Sequence, residues 1–205
     1  MTAIELTRRE RKKEATKERI FSTAMKLFKS RGFEETTIDD ITEKADVAKG
    51  TFFNYFPKKE AVLQYLSEQW LEEVEDKVAA EFKAAAAPDR DRMIGAFIDI
   101  ARFYEDDREL SRHILRSWMD RAYDEDDPIC QHWHAVGVFV IAELQKSGYF
   151  RADVDPDRIE YVLQSVYAAT IAMWLDTDPA PFDLREELGT RIRLVIDGLK
   201  GRREA

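Results

Sequence analysis

Thr36–Glu60, TTIDDITEKADVAKGTFFNYFPKKE, decides how this chain is read. Thr37 with Asp40 three residues on fits a capping-box variant that opens a short helix, whose inward stripe is Ile38, Ile41 and Ala45. Asp46-Val47 supplies the turn. Asp can hold a left-handed backbone at some cost, and Val47 fills the space between two helices. The next helix is predicted over Lys49–Phe56, with Phe52, Phe53 and Phe56 at i, i+1 and i+4 and at least two of them turned inward. Lys49, Thr51, Asn54 and Tyr55 then lie on or near the outside, and Gly50 leaves the backbone open to close approach. Pro57 ends the segment, since it cannot continue a helix without losing a hydrogen bond and clashing. Two short helices about a tight turn, the second packed on one face and polar on the other, form a helix-turn-helix. Its second helix suits the major groove of duplex DNA.

Working outward, Ile20, Ala24, Leu27 and Phe28 predict a helix over Ala15–Arg31, closed by Arg31-Gly32. Before it, residues 1–13 crowd Arg8, Arg9, Arg11, Lys12 and Lys13 into a basic arm. Such an arm is either a solvated, frayed terminus or a contact to phosphate or minor groove. After Glu60, apolar steps of three and four predict a long helix to about Ala87, then helices over Asp91–Tyr104, Arg108–Tyr123, Ile129–Ser147, Pro156–Leu175 and Leu184–Leu199. Pro88-Asp89, Asp124–Pro128 and Thr177–Phe182 read as linkers and loops. No stretch sustains period-two alternation. The expected fold is all-α with about nine helices: an arm (1–13), a helix-turn-helix domain (14–60, motif about 37–56) and a larger helical body (61–205).

Composition bounds the function. Of 205 residues, 44% are hydrophobic and 36% charged, enough for a core beneath a highly charged surface. The net charge of −9 speaks against nucleic acid until its distribution is examined. Residues 1–59 hold 14 Lys/Arg against 10 Asp/Glu, and the remainder holds 18 against 31. A basic module on an acidic body is the pattern expected of a DNA binder. A single cysteine, Cys130, excludes an intramolecular disulfide. There is no signal-like apolar segment and no run long enough to span a bilayer, so a cytoplasmic location without membrane attachment is expected.

The same residues resemble the DNA-binding region of the TetR family of bacterial transcriptional regulators. The likeness is carried by Thr37-Ile38, Ile41, Ala45, Val47, Gly50-Thr51-Phe52-Phe53-Asn54-Tyr55-Phe56, Lys59-Glu60 and Leu63, and covers about 50 residues with the preceding helix. The resemblance implies that Thr37 caps its helix near a phosphate, that Lys49 and Thr51 face the groove or its edge, and that Tyr55 and Lys59 hold phosphates. Asn54 could meet a base edge, because Asn pairs bidentately with adenine. Three positions depart from the family pattern: Asp46 for Gly, Ala48 for a capping Ser, and Phe53 for Tyr. The first puts an acid near DNA, the second forgoes a cap worth about 1 kcal/mol, and the third removes a hydroxyl. The partners implied are double-stranded operator DNA, a small-molecule effector and a second copy of the chain. No cofactor is implied.

In the body, Phe97, Phe103, Tyr104, Trp118, Trp133, Tyr167 and Trp174 are candidates to line an effector pocket, each competing with simple core packing. On the last two helices Tyr161, Ala168, Ala172, Leu188, Ile192 and Val195 suit close helix packing, and by resemblance would pair with a second chain in a four-helix bundle. Cys130 and His134, four apart, could share a metal only if His113, Asp126 or Asp127 joined them, whereas His132 and His134 diverge on a helix. No metal site is therefore expected. No nucleophile elbow, P-loop, dinucleotide-binding glycine pattern or HExxH occurs, which disfavours an enzyme. The expected function is a ligand-responsive regulator, most simply a repressor released from its operator by an effector. The alternative is an all-helical protein-interaction adaptor without specific DNA binding.

Overall fold

The computed structural model describes residues 7–84, 90–121 and 127–200. Residues 1–6 of the arm, Pro88-Asp89, Asp124–Asp126 and the last five residues lie outside them, as do the side chains of Val78, Phe82 and Met93. Among the described residues the elements are α1 (Arg8–Arg31), α2 (Ile38–Lys44), α3 (Lys49–Phe53), α4 (Glu60–Ala84), α5 (Arg90–Ala101), a 3-10 turn (Arg102–Tyr104), α6 (Arg108–Met119), α7 (Pro128–Lys146), α8 (Pro156–Asp176) and α9 (Leu184–Leu199). The chain divides into two compact units, Met1–Ser67 and Glu68–Ala205. The division falls later than Glu60 because the buried Ala61, Val62 and Leu63 belong to the first unit.

In the first unit the helix expected from Ala15 begins at Arg8. Residues 8–13 are helical, not a loose arm. The cause is a Thr7-x-x-Glu10 capping box: Glu10 N–H donates to Thr7 Oγ1 (3.3 Å) and Thr7 N–H donates to the Glu10 carboxylate (2.7 Å). Those bonds hold the Glu10 carboxyl below its ordinary range. At the other end Gly32 takes φ 89° and donates to Phe28 O at 2.9 Å, after which Phe33 turns back edge-on to Phe28. Ile20, Phe21, Ala24, Leu27 and Phe28 form the buried stripe of α1.

In the second unit α9 packs on α5 and α8, while α6 and α7 also pack on α8. Helices α6 to α9 each start on an aspartate whose carboxylate accepts from first-turn N–H groups: Asp107 from Leu110, Asp127 from Ile129 and Cys130, Asp155 from Asp157, and Asp183 from Glu186. Leu184, Leu188, Ile192 and Ile196, each four apart, form the buried stripe of α9. The α5–α9 crossing depends on Gly189, where a Cβ would come within 3.2 Å of Ile98 Cδ1 and 3.7 Å of Ile94 Cγ2.

Gly189→Val adds a branched side chain to that crossing. The expected cost is about 1–3 kcal/mol, read as a lower midpoint in urea unfolding. An unchanged midpoint would show that α5 and α9 do not pack this closely.

Candidate nucleic-acid interface

The turn between α2 and α3 forms as the sequence predicts. Asp46 sits at φ 52°, its N–H donates to Glu43 O (3.2 Å), and Val47 N–H donates to Thr42 O (3.0 Å). Thr37 caps α2 within a full box: Asp40 N–H donates to Thr37 Oγ1 (3.1 Å), and Thr37 N–H donates to the Asp40 carboxylate (2.9 Å). The carboxyl of Asp40 is held below its ordinary value chiefly by Thr37. The Thr37 hydroxyl also donates to Asp40 Oδ2 (2.5 Å), so it is occupied as a cap.

Helix α3 is shorter than expected, ending at Phe53 in place of Phe56. It is held by its aromatics. Phe52 is 0% and Phe56 2% exposed. Phe56 stands 5.9 Å from the Tyr65 ring, which in turn meets Phe21 edge-on at 5.1 Å. Ala48 provides no side-chain cap. Facing outward are Lys49, Gly50, Phe53 and Asn54, with Thr51 and Tyr55 half-buried. Nothing lies within 4 Å of where a Gly50 Cβ would sit, so the backbone there is approachable. Phe53, read from sequence only as a lost hydroxyl, is 45% exposed and puts an apolar ring on the outward face.

Lys49 Nζ lies 2.8 Å from the Asp39 carboxylate, with both side chains exposed. Such a pair contributes little and is easily exchanged for another anion. Asn54 and Tyr55 join Glu10, Lys13, Glu14 and Lys17 of α1 around an open cleft of about 330 Å³. The capped first turns of α1 therefore place Lys13 beside the end of α3. Sequence reading left this unseen because it treated those residues as a loose arm.

Lys59 requires a correction. Its ammonium donates to Phe33 O (2.7 Å), Thr36 O (3.0 Å) and Glu34 O (3.4 Å), and it lies 4.3 Å from the centre of the Phe33 ring. A lysine has three N–H donors, and all three serve the α1–α2 loop. These carbonyls take the three donors that the sequence expectation gave to a phosphate, so a phosphate would have to displace one of them.

In the second unit some of the aromatic candidates come together. Phe97 and Tyr167 stand 6.1 Å apart, and Phe103 meets Tyr104 edge-on at 5.4 Å. Trp70 of α4 adds a ring 4.8 Å from Phe103. Trp174 belongs elsewhere: the Arg108 guanidinium covers it at 4.4 Å and donates to Trp174 O and, at 2.6 Å, to Thr177 O. Trp118 and Trp133 are half-buried, Trp133 lying edge-on to His132.

The pairing candidates also divide. Tyr161 is exposed, and Ala168, Ala172 and Val195 are half-buried. Leu188 and Ile192 are fully buried inside this chain, on the inward stripe of α9, and cannot present themselves to a partner. Sequence reading missed the exposed apolar residues Val162, Met173 and, at 70%, Leu194.

His134 bridges α7 and α8, with Nδ1 2.6 Å from Glu160 and Nε2 2.9 Å from Asp157. Gly137 makes the room, since a Cβ there would fall 2.8 Å from Glu160 Cγ. Burial lowers the His134 pKa, but the bonds to Asp157 and Glu160 and their charges raise it further, for a net rise. Burial raises that of Glu160 by more than His134 draws it down. His132 pairs separately with Glu75 at 2.9 Å. Among the described residues no three His, Cys, Asp or Glu side chains are grouped to hold a metal ion, and no helix is long and apolar enough to cross a membrane.

Comparison with known proteins gives consistent neighbours. The family profile described as "Bacterial regulatory proteins, tetR family" matches residues 20–66. The transcriptional repressor DhaR of Mycobacterium sp. (strain GP1) is 25% identical over 161 residues, 77% of this chain and 81% of that protein. The repressor KstR of Mycolicibacterium smegmatis is 26% identical over 197 residues, 92% of this chain and 88% of its own. Among solved structures, the TetR-family repressor FadR of Thermus thermophilus, in complex with lauroyl-CoA, superposes with a TM-score of 0.71 at 29% identity. That match covers 92% of this chain and 97% of the other.

Two outcomes follow from these geometries. Lys59→Met should lower thermal stability, by about 1.5–3 kcal/mol for hydrogen bonds to a charged group, and leave the salt dependence of duplex binding unchanged. Lys49→Ala should reduce that salt slope by about one with no loss of stability. Anisotropy titrations across a salt series, with melts alongside, separate the two. A reduced slope for Lys59→Met would restore it as a phosphate ligand. For His134, a raised folded pKa means that its stabilisation is fully present below the ordinary value of 6.5 and is lost as pH rises through the folded value. Glu160, also raised, acts in the same direction. Melting temperature should therefore fall between about pH 6 and pH 8, and His134→Gln should flatten that fall. A variant that keeps the wild-type slope would exclude His134 as its source.

Proposed function

Because the chain belongs to the TetR family of bacterial regulatory proteins, we propose that it is a dimeric operator-binding repressor released from DNA by a small-molecule effector. The observation that carries the DNA reading is the two-sided character of α3. Phe52 and Phe56 bury one side, while Lys49, Gly50, Phe53 and Asn54 face outward from a rigid support. Lys49 exchanges Asp39 for phosphate, Asn54 reaches a base or backbone edge, and Phe53 offers an apolar surface of the kind that meets a thymine methyl. Tyr55 and Lys13 flank the groove from the cleft they share.

One such helix contacts few base pairs, so a second copy is needed for specificity, placing two readers on a two-fold site. The exposed apolar residues Tyr161, Val162, Met173 and Leu194 on α8 and α9 are the proposed pairing face. The effector would occupy the second unit among Trp70, Phe97, Phe103, Tyr104 and Tyr167. FadR of Thermus thermophilus holds lauroyl-CoA, whose acyl chain supports an effector with an extended apolar part here. Release follows if the effector binds the DNA-incompetent conformation more tightly than the competent one. The chain acts in the cytoplasm, without a cofactor and without a catalytic step of its own.

Binding to a duplex from the chain's own upstream region should be at least about 10³-fold tighter than to a scrambled duplex at equal salt, as measured by fluorescence anisotropy. Equal affinity for the two duplexes, as an adaptor or an enzyme would give, would overturn the proposal.

A further inference from the structure

The Tyr167 hydroxyl is buried and has no hydrogen-bond partner among the described residues. A hydroxyl taken out of water with nothing to bond is costly and rare in folded proteins, so its presence calls for a reason. Its surroundings are aromatic. Tyr167 on α8 faces Phe97 of α5, and in the same unit a second cluster of Tyr104, Phe103 and Trp70 extends from the 3-10 turn to α4. Trp70, Phe97 and Phe103 are only half-buried, so apolar surface stays accessible where the hydroxyl does not.

Burial raises the pKa of Tyr104, and burial together with the charge of Tyr104 raises that of Tyr167. Both phenols stay protonated as donors at neutral pH. A carboxylate placed against this single neutral donor would give up its hydration for one hydrogen bond, whereas a neutral oxygen requires only a donor.

We infer that the Tyr167 hydroxyl, beside the Phe97 ring, is the polar anchor of the effector site, selecting an uncharged, mostly apolar molecule that bears one hydrogen-bond-accepting oxygen, such as a ketone or ester carbonyl. The inference rests on the effector reading above and adds the chemical class of the ligand. On binding, the carbonyl oxygen accepts from the Tyr167 hydroxyl while the aliphatic remainder covers the Phe97, Phe103 and Trp70 rings.

The test uses the full-length protein with three probes of equal length: decan-2-one, decane and decanoate. Calorimetric titration should show decan-2-one binding about ten-fold tighter than decane, with decanoate weaker than the ketone. Tyr167→Phe should abolish the preference for the ketone while leaving the affinity for decane in place. The same variant should melt no lower than wild type, because it removes an unsatisfied group. A drop in melting temperature would mean that the hydroxyl is already satisfied in the free protein, and would overturn the anchor. So would absence of ketone binding, a preference that survives Tyr167→Phe, or tighter binding of decanoate. Adding decan-2-one to the protein–duplex complex separates the two readings: Tyr167-dependent binding that leaves DNA affinity unchanged supports the anchor and overturns the effector reading.

Discussion

A helix of five residues cannot sustain itself, and the proposed function depends on α3. Nucleating a helical turn fixes several dihedrals for one hydrogen bond, so a segment this short exists only where packing holds it. Phe52 and Phe56 supply that packing against a core that includes Tyr65 and Phe21. Asp46 sets the angle of entry by taking a left-handed backbone that an L-residue adopts at a cost. The Lys59 ammonium ties down the carbonyls of the α1–α2 loop, which leads directly into Thr37, the cap of α2. The outward side chains of α3 keep their geometry only because these inward constraints leave the helix no other placement.

Much of this was legible in the sequence, for a physical reason. Capping boxes, helix-stop glycine and helical spacing of apolar residues are local, and local rules are visible along the chain. The turn at Asp46, the inward pair Phe52 and Phe56, and the bounds of α9 follow from them. The Thr7-x-x-Glu10 box is equally local and was hidden only by the density of basic residues after it. Lys59 is different. Its three acceptors lie 23 to 26 residues away along the chain. No spacing rule predicts which of two roles, backbone clip or phosphate ligand, a lysine takes when both need the same ammonium.

The second unit shows the same divide. Periodicity says that a helix has an apolar face, but a helix apolar on two faces leaves the assignment of each undecided. On α9 the stripe of Leu188 and Ile192 is the inner one, and Leu194 lies on the outer side. On α8, Ile159, Leu163, Ile171 and Trp174 turn inward while Tyr161, Val162 and Met173 turn out. Trp174 illustrates the difficulty. Its ring looks like pocket lining in sequence, yet an arginine 66 residues away along the chain, Arg108, caps it and binds its carbonyl. The polar character of the interior came from a feature with no sequence signal, the hydroxyl of Tyr167 left without a partner among the described residues.

The charge asymmetry can now be assigned causes. Part of the acidity of residues 60–205 is structural, because Asp107, Asp127, Asp155 and Asp183 cap helices and Asp157 and Glu160 hold His134. These carboxylates satisfy N–H groups or a neighbouring imidazole, but their charge still acts on a polyanion over a Debye length of about 8 Å at physiological salt. A duplex is therefore attracted to the first unit and discouraged from the second. In the first unit, too, one cation is committed, Lys59 to backbone carbonyls. Fewer free cations mean fewer released counterions and a shallower salt dependence than the count of basic residues suggests. Under the proposed function, affinity for the right sequence would then come from what α3 presents directly, where Phe53 and Asn54 are the exposed side chains.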